Sequence, residues 1–340
     1  MRVLLVRLSA LGDVVHTWPL AEAVRAARPE AHITWVVEAP LAPLVAGHPA
    51  VDAVVTTATR SWRRRPLSAR TRAEAAVLRS RLQEIQPEVA LDPQGTVKSA
   101  LVCRSSGAPR RVGLARPWRR ERLAGLAYTQ TVDGCASDRH VVATNLELVR
   151  AVGGEPPPAP VAPDGRWLLD RDGATVPAGP WGASYAVLLP GAGRPDKVLS
   201  VDTLAAVARR LAGAGLAAVV AWGPGERERA AAVVVAADTG SHLAPATGLL
   251  ELAALLAGAR VVVGGDTGPV HLAASLGAPT LGVFLTTDPE RNRPLGPRVA
   301  VVSGARLGSG PAGSATTGSA RPVTQAEVLA ALDGLLGRPA

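Results

Sequence analysis

Lysine is almost missing from this chain. Of its 37 basic residues only Lys98 and Lys197 are lysine, and the rest are arginine. Isoleucine, asparagine, phenylalanine and methionine are scarce too, with one Phe and one Met in 340 residues, as GC-rich coding produces. Against such a drift, a retained lysine points to a need for a compact ammonium rather than a planar guanidinium. The two cysteines, Cys103 and Cys135, are too few for a disulfide framework or a zinc cluster and read as reduced thiols. No apolar run of about 18 residues occurs, so no spanning helix is expected. The opening MRVLLVRLSALGD has a signal-like apolar stretch, but Arg7 and Asp13 interrupt it, and it reads as a first β-strand.

What is present is enough apolar sequence, 47% of 340 residues, to build two domain cores. Charge is unevenly spread. Between residues 60 and 122 sixteen basic residues stand against five acidic ones, an excess of eleven where the whole chain carries +9. Such a concentration attracts an anionic partner, whether nucleic acid, membrane surface or phosphorylated substrate, or else forms an arginine-rich solvated face.

Strand-like and helix-like segments alternate along the first half. Strands are expected at 3–8, 33–37, 51–56 and 89–92, and helices at 14–27, 73–85 and 96–105. This rhythm argues for an α/β fold with a doubly wound parallel sheet. Five prolines in residues 155–164 make a stiff connector, expected to continue to Gly182. The pattern then restarts, with strands at 185–189, 217–222, 261–263 and 280–284. Helices follow at 201–214, 226–237, 249–256 and 269–276. Residues 304–318 read as a Gly/Ser-rich surface loop. Thr324 and Glu327 form a capping box for a last helix, 327–336. The expected division is a first domain over 1–165, a second over 180–322 and a terminal segment 323–340 whose helix has the option of packing back on the first domain.

Ligands of parallel α/β folds sit at the carboxyl ends of strands, and three strand-to-helix loops there carry polar chemistry. In Ser9-Ala10-Leu11-Gly12-Asp13, Asp13 falls in the first turn of the next helix, where it reads as a general base for a hydroxyl or as a plain helix cap. In residues 264–271, Asp266, Thr267 and Gly268 at a helix start make a phosphate cradle, with His271 one turn in. In residues 190–197 a glycine-bearing loop ends at Lys197, suited to neutralise a diphosphate. Neither GxxxxGK[ST] nor a GxGxxG after the first strand is present, nor HExxH or GxSxG. Kinase, nicotinamide-dehydrogenase, metalloprotease and serine-hydrolase readings therefore lose their support.

Gly12-Asp13-Val14-Val15-His16-Thr17-Trp18-Pro19 resembles the GDVLHTLP element of the lipopolysaccharide heptosyltransferases of glycosyltransferase family 9, nearest to the type I branch. The likeness continues through Trp35–Glu38, Trp62-Arg63, Asp92–Ala100, Arg120-Glu121, Leu123-Ala124 and Tyr128. It runs on into Asp196-Lys197, Trp222-Gly223, Asp266-Thr267-Gly268 with His271, and Thr287-Asp288-Pro289. The resemblance implies a GT-B fold, two Rossmann-like domains facing a cleft, the first taking an acceptor and the second a nucleotide-sugar. It implies inverting, metal-independent transfer of L-glycero-D-manno-heptose from ADP-heptose to Kdo of the lipopolysaccharide inner core, with no cofactor. It makes Asp13 the catalytic base. Donor-binding residues would be Ala192, Gly193, Lys197, Glu226 (or Glu228), Thr247, Asp266, Thr267, Gly268 and His271. Arg60, Arg63, Arg64, Lys98 and Arg120 would meet an anionic Kdo-lipid A type acceptor. It places the protein in the cytoplasm, peripheral on the inner leaflet of the inner membrane.

Departures from the family pattern concentrate in the donor loop. Ala192-Gly193 replace a threonine pair, Pro195 replaces an aspartate, and Val198-Leu199 replace His-Trp. The alternatives are a family 9 enzyme with another nucleotide-sugar or acceptor, a nucleotide-sugar epimerase, or a basic nucleic-acid-binding module. The last lacks any RRM, KH or helix-turn-helix signature.

Overall fold

The computed structural model describes residues 1–62, 65, 68–159, 161–304 and 321–337, with the side chain of Arg60 outside that set. Arg63, Arg64 and most of the expected Gly/Ser-rich loop lie outside the described residues. The chain divides into two units, the first ending at Val161 and the second beginning at Ala162.

The first unit runs β1 (Arg2–Val6), α1 (Leu11–Val15), α2 (Trp18–Ala27), β2 (His32–Glu38), β3 (Ala53–Thr57), α3 (Thr59–Trp62) and α4 (Ala69–Glu84). It continues through β4 (Val89–Asp92), α5 (Val97–Ser105), β5 (Arg110–Leu114), β6 (Gln130–Val132) and α6 (Val141–Leu146). Its six strands lie in the order β3-β2-β1-β4-β5-β6, every pair parallel. Because β1 is flanked by β2 and β4 and covered on both faces, Val3, Leu4, Leu5 and Val6 are all buried. Each such side chain contributes roughly 1.5–3 kcal/mol on leaving water. The expected helix over 14–27 is two helices. Pro19 has no N–H to give and its ring clashes with the carbonyl four residues back, so α2 restarts at Trp18.

The second unit repeats the plan with β7 (Tyr185–Leu189), α7 (Val201–Ala212), β8 (Ala217–Val220), α8 (Arg227–Ala237), β9 (His242–Leu243) and α9 (Leu249–Ala257). Then come β10 (Val262–Gly265), α10 (Gly268–Ser275), β11 (Thr280–Phe284), α11 (Pro289–Asn292), β12 (Val299–Ser303) and α12 (Gln325–Leu336). The sheet order is β12-β11-β10-β7-β8-β9, again all parallel. Numbered within its own unit, each sheet reads 3-2-1-4-5-6, the order of doubly wound nucleotide-binding domains.

Two expectations about organisation need correction. The proline-rich connector ends sooner than expected: the Gly165 N–H bonds the Ser275 carbonyl at 2.9 Å, and Leu168 in the 3-10 turn Arg166–Asp170 is fully buried. Residues the sequence assigned to a linker thus already belong to the second unit. The last helix also packs within the second unit, where the sequence left open a return to the first domain. Val328 and Leu332 join the core beneath β8 and α7, and Arg210 pairs with Asp333 at 2.7 Å.

Candidate active site

A sheet of this order has one topological switch point, between its first and fourth strands, where the following loops diverge to opposite faces and leave room for a ligand. In the first unit that point lies between β1 and β4. The loops there are Ser9–Asp13 and Asp92–Lys98. In the second it lies between β7 and β10, whose loops are 190–197 and 266–271. The polar loops read from sequence therefore all fall where the fold places ligands.

Asp13 is the third residue of α1, and its Oδ2 accepts the Ala10 N–H at 3.2 Å. That is a capping contact, so the plain reading of Asp13 as a cap is partly true. Its Oδ1 lies 2.9 Å from Arg7 Nη2, in a pair whose arginine is 4% exposed and whose aspartate is 31% exposed. Arg7 is itself held: Nη1 donates to the Pro93 carbonyl at 2.9 Å, and the Arg7 carbonyl accepts from the buried Trp35 indole at 3.1 Å. From sequence Arg7 is only a break in an apolar strand; in the fold it orients the candidate base.

The Asp92–Thr96 segment is the frame beneath this loop. Asp92 Oδ1 accepts the N–H groups of Gln94 and Gly95 at 2.9 and 3.0 Å, and Oδ2 accepts the Tyr128 hydroxyl at 2.8 Å. Burial pushes the Asp92 carboxyl upward, against the pull of those donors. Gln94 Oε1 then accepts the Leu8 N–H at 2.8 Å, tying β4 to the start of the Asp13 loop. Lys98, at the start of α5, brings its Nζ to 3.3 Å from Ser9 Oγ and 3.9 Å from Glu38 Oε1. Glu38 is buried and also takes the Thr59 hydroxyl. Lys98 is thus gathered at the Asp13 loop. Arg120 is exposed on the loop after β5, and the neighbouring Glu121 N–H bonds the Gly95 carbonyl at 2.9 Å.

In the second unit Lys197 Nζ lies 2.6 Å from Asp266 Oδ2, which also accepts the Thr287 hydroxyl at 2.8 Å. His271 Nε2 stands 3.5 Å from Asp266 Oδ1. Burial alone would raise the Asp266 carboxyl, but the His271 ring and the Lys197 ammonium outweigh it and hold it well below the usual carboxylate range. Asp266 therefore fixes the Lys197 ammonium and stands against one ring nitrogen of His271. Gly265 is needed for this approach, since a Cβ there would lie 2.7 Å from the Lys197 carbonyl. Thr267 precedes α10 in extended conformation, with Gly268 first in the helix and Pro269 second.

Ala192 and Gly193 sit on the outer part of the loop after β7, and a side chain at Gly193 would meet nothing within 4 Å. The loop's ends are clipped by Arg229 of α8, whose Nε donates to the Pro190 carbonyl at 3.0 Å and whose Nη2 donates to that of Leu199. Glu226 binds the Gly223 N–H at 2.8 Å, and a Cβ on Gly191 would fall 1.9 Å from its Oε1. The structure thus places Glu226 against the loop after β7; Glu228 is an exposed residue of α8. A cavity of about 540 Å³, lined by Trp181, Trp222, Arg227 and residues 243–246, adjoins Thr247 in sequence. Sequence reading missed Arg7, Gln94, Arg229 and Thr287 as site builders. Gln94 and Thr287 carried a signal, each as part of a family-like segment, and Arg7 and Arg229 carried none.

The sequence model of glycosyltransferase family 9 (heptosyltransferase) matches residues 76–317. The chain belongs to this family. It is 37% identical over 291 residues to lipopolysaccharide heptosyltransferase 1 of Pseudomonas aeruginosa, covering 85% of this chain and 80% of that one. Among solved structures it resembles E. coli heptosyltransferase WaaC with ADP, at TM-score 0.79 and 29% identity over 98% of this chain and all of that one. It also resembles the same enzyme with ADP-2-deoxy-2-fluoro heptose, at TM-score 0.75 and 32% identity over 89% and 93% of the two chains. As a family 9 glycosyltransferase the chain has the GT-B-like fold of those enzymes.

Proposed function

We propose that this chain transfers L-glycero-D-manno-heptose from ADP-heptose to a Kdo hydroxyl of the lipopolysaccharide inner core, by inverting displacement and without a metal. Asp13, oriented by Arg7, accepts the proton of the acceptor hydroxyl as its oxygen attacks the anomeric carbon. The bond from that carbon to the diphosphate breaks, and the electron pair leaves with ADP. Charge growing on the leaving diphosphate is met by Lys197 and by the N-terminus of α10 at Thr267 and Gly268. Backbone N–H groups of Ala192 and Gly193 take the role of the family's threonine hydroxyls. Glu226 contacts the ribose, and the cavity beside Trp222 and Thr247 takes the adenine; its volume is in the range of small-ligand sites.

Arg60, Arg63, Arg64, Lys98 and Arg120 meet a Kdo-lipid A type acceptor, whose carboxylates and phosphates account for the basic excess of the first domain. Among the described residues no helix is long and apolar enough to cross a membrane. We place the enzyme at the cytoplasmic face of the inner membrane. The observation that carries the reading is the Arg7–Asp13 pair at the end of β1: a partly exposed carboxylate clamped by a buried cation, in a family 9 chain. Purified protein incubated with ADP-heptose and a Kdo-bearing acceptor should release ADP and add one heptose. Turnover only with a UDP- or GDP-sugar, or with donor alone, would replace the donor or the reaction respectively.

A further inference from the structure

We propose that the apolar groove between α5 and the 3-10 turn Arg122–Ala127 is the face by which this protein sits on an anionic lipid bilayer. The inference rests on the reading of a lipid-borne acceptor and names the surface that reading requires.

Val97, Ala100, Leu101 and Arg104 recur at the spacing of one helical face and line one wall of a groove of about 290 Å³. Leu123, Ala124, Leu126 and Ala127 line the other. Ala100, Ala124 and Ala127 form a small buried cluster that makes the floor. The opposite face of α5 already packs inward through Val102 and Cys103. The leucines of the rim stand out instead: Leu101 is 57% exposed, Leu123 67% and Leu126 80%.

Charge selects the occupant. From residue 97 to 127 eight basic residues face a single acid, Glu121, whose Oε2 is engaged by the Val97 N–H at 2.8 Å. Arg104, Arg116, Arg120 and Arg122 are exposed. Protruding leucines ringed by guanidinium groups match a bilayer interface, where apolar side chains enter the acyl boundary and long cationic stems reach anionic head groups. A second folded protein fits less well. The three leucines expose only roughly 400 Å² together, about half of what each partner buries in a stable protein interface.

The test is co-sedimentation of the full chain with vesicles of phosphatidylglycerol and phosphatidylethanolamine, and with phosphatidylcholine alone. Binding to the anionic vesicles is expected, weakened by salt. The L101E/L126E variant, whose changes lie at exposed positions, should bind at least about tenfold more weakly. It should keep its circular dichroism spectrum and its turnover of a water-soluble, deacylated acceptor. Wild-type protein that ignores anionic vesicles, or a variant that binds them unchanged, would overturn the proposal. So would a concentration-dependent dimer that L101E/L126E dissolves, since a second copy would then be the occupant. Vesicle binding lost in the variant, from a chain that transfers no sugar, would sink the reaction and keep the surface. Full turnover of the soluble acceptor with no vesicle binding would do the reverse.

Discussion

Arg7 and Asp13, six residues apart across the β1–α1 turn, form an ion pair at 2.9 Å in which the cation is buried and the carboxylate is partly exposed. The arginine is anchored from below by the Pro93 carbonyl, so the carboxylate has a fixed partner on one oxygen. Its other oxygen accepts the Ala10 N–H, and a carboxylate oxygen accepts more than one hydrogen bond.

Replacing Asp13 by Asn should lower kcat by about 10²–10⁴-fold, the range for loss of a general base. ADP affinity measured by calorimetry should stay within about twofold. Arg7→Gln keeps the base but frees it; kcat should fall roughly 10–100-fold with donor KM unchanged. Stability should drop by about 2 kcal/mol, less than for a fully buried pair. Near-normal turnover of Asp13→Asn would remove Asp13 from the chemistry.

Lys197→Ala should weaken ADP binding by about tenfold or more, since a charge-assisted contact to the diphosphate is lost. Asp266→Asn should weaken it too, because Lys197 loses the carboxylate that aims it. The double variant should be scarcely worse than Lys197→Ala, and additive losses in a double-mutant cycle would disprove the linkage.

Gly191→Ala should force the Glu226 side chain to move and release the Gly223 N–H. Donor KM is expected to rise about tenfold while acceptor KM is unchanged. Combining it with Glu226→Ala should add little, because both changes disturb one contact. An unaltered donor KM in Gly191→Ala would show that Glu226 has no part in holding the donor.

Arg120→Ala should raise acceptor KM several-fold and leave donor KM and thermal stability alone, since the residue is exposed. The same split is expected for Arg63→Ala and Arg64→Ala. A change in donor KM alone would move these arginines to the other substrate.

Burial pushes the His48 imidazole down to about 4. The folded state thus disfavours its protonated form, so stability is full above about pH 6.5 and declines as pH falls towards 4. The total is on the order of 3 kcal/mol. Urea unfolding between pH 4 and 7 should show this slope, and His48→Gln should flatten it.

Much of this was legible in the chain because the relevant signals are local. Buried parallel strands write themselves as apolar runs, and β1, β4, β7 and β11 were found that way. Four strands were not, β5, β6, β9 and β12: β5 begins with two arginines, β6 has three residues and β9 two. Of these, β6, β9 and β12 are sheet edges held by a neighbour on one side, and such segments need no strong apolar pattern of their own. The Asp13, Lys197 and 264–271 loops were legible since glycine, aspartate and lysine after a strand have a turn chemistry independent of the rest of the molecule.

The order of residues alone determined that two α/β halves exist, where each turns from strand to helix, and that cationic charge gathers in the first. Tertiary structure decided the partnerships. Lys197 meets Asp266 across 69 positions, Gln94 reaches Leu8 across 86, and Arg7 becomes a buried clamp rather than an interrupted strand. Each depends on which strands become neighbours at the switch point. That choice is made by the packing of whole sheets, and no stretch of ten or twenty residues contains it.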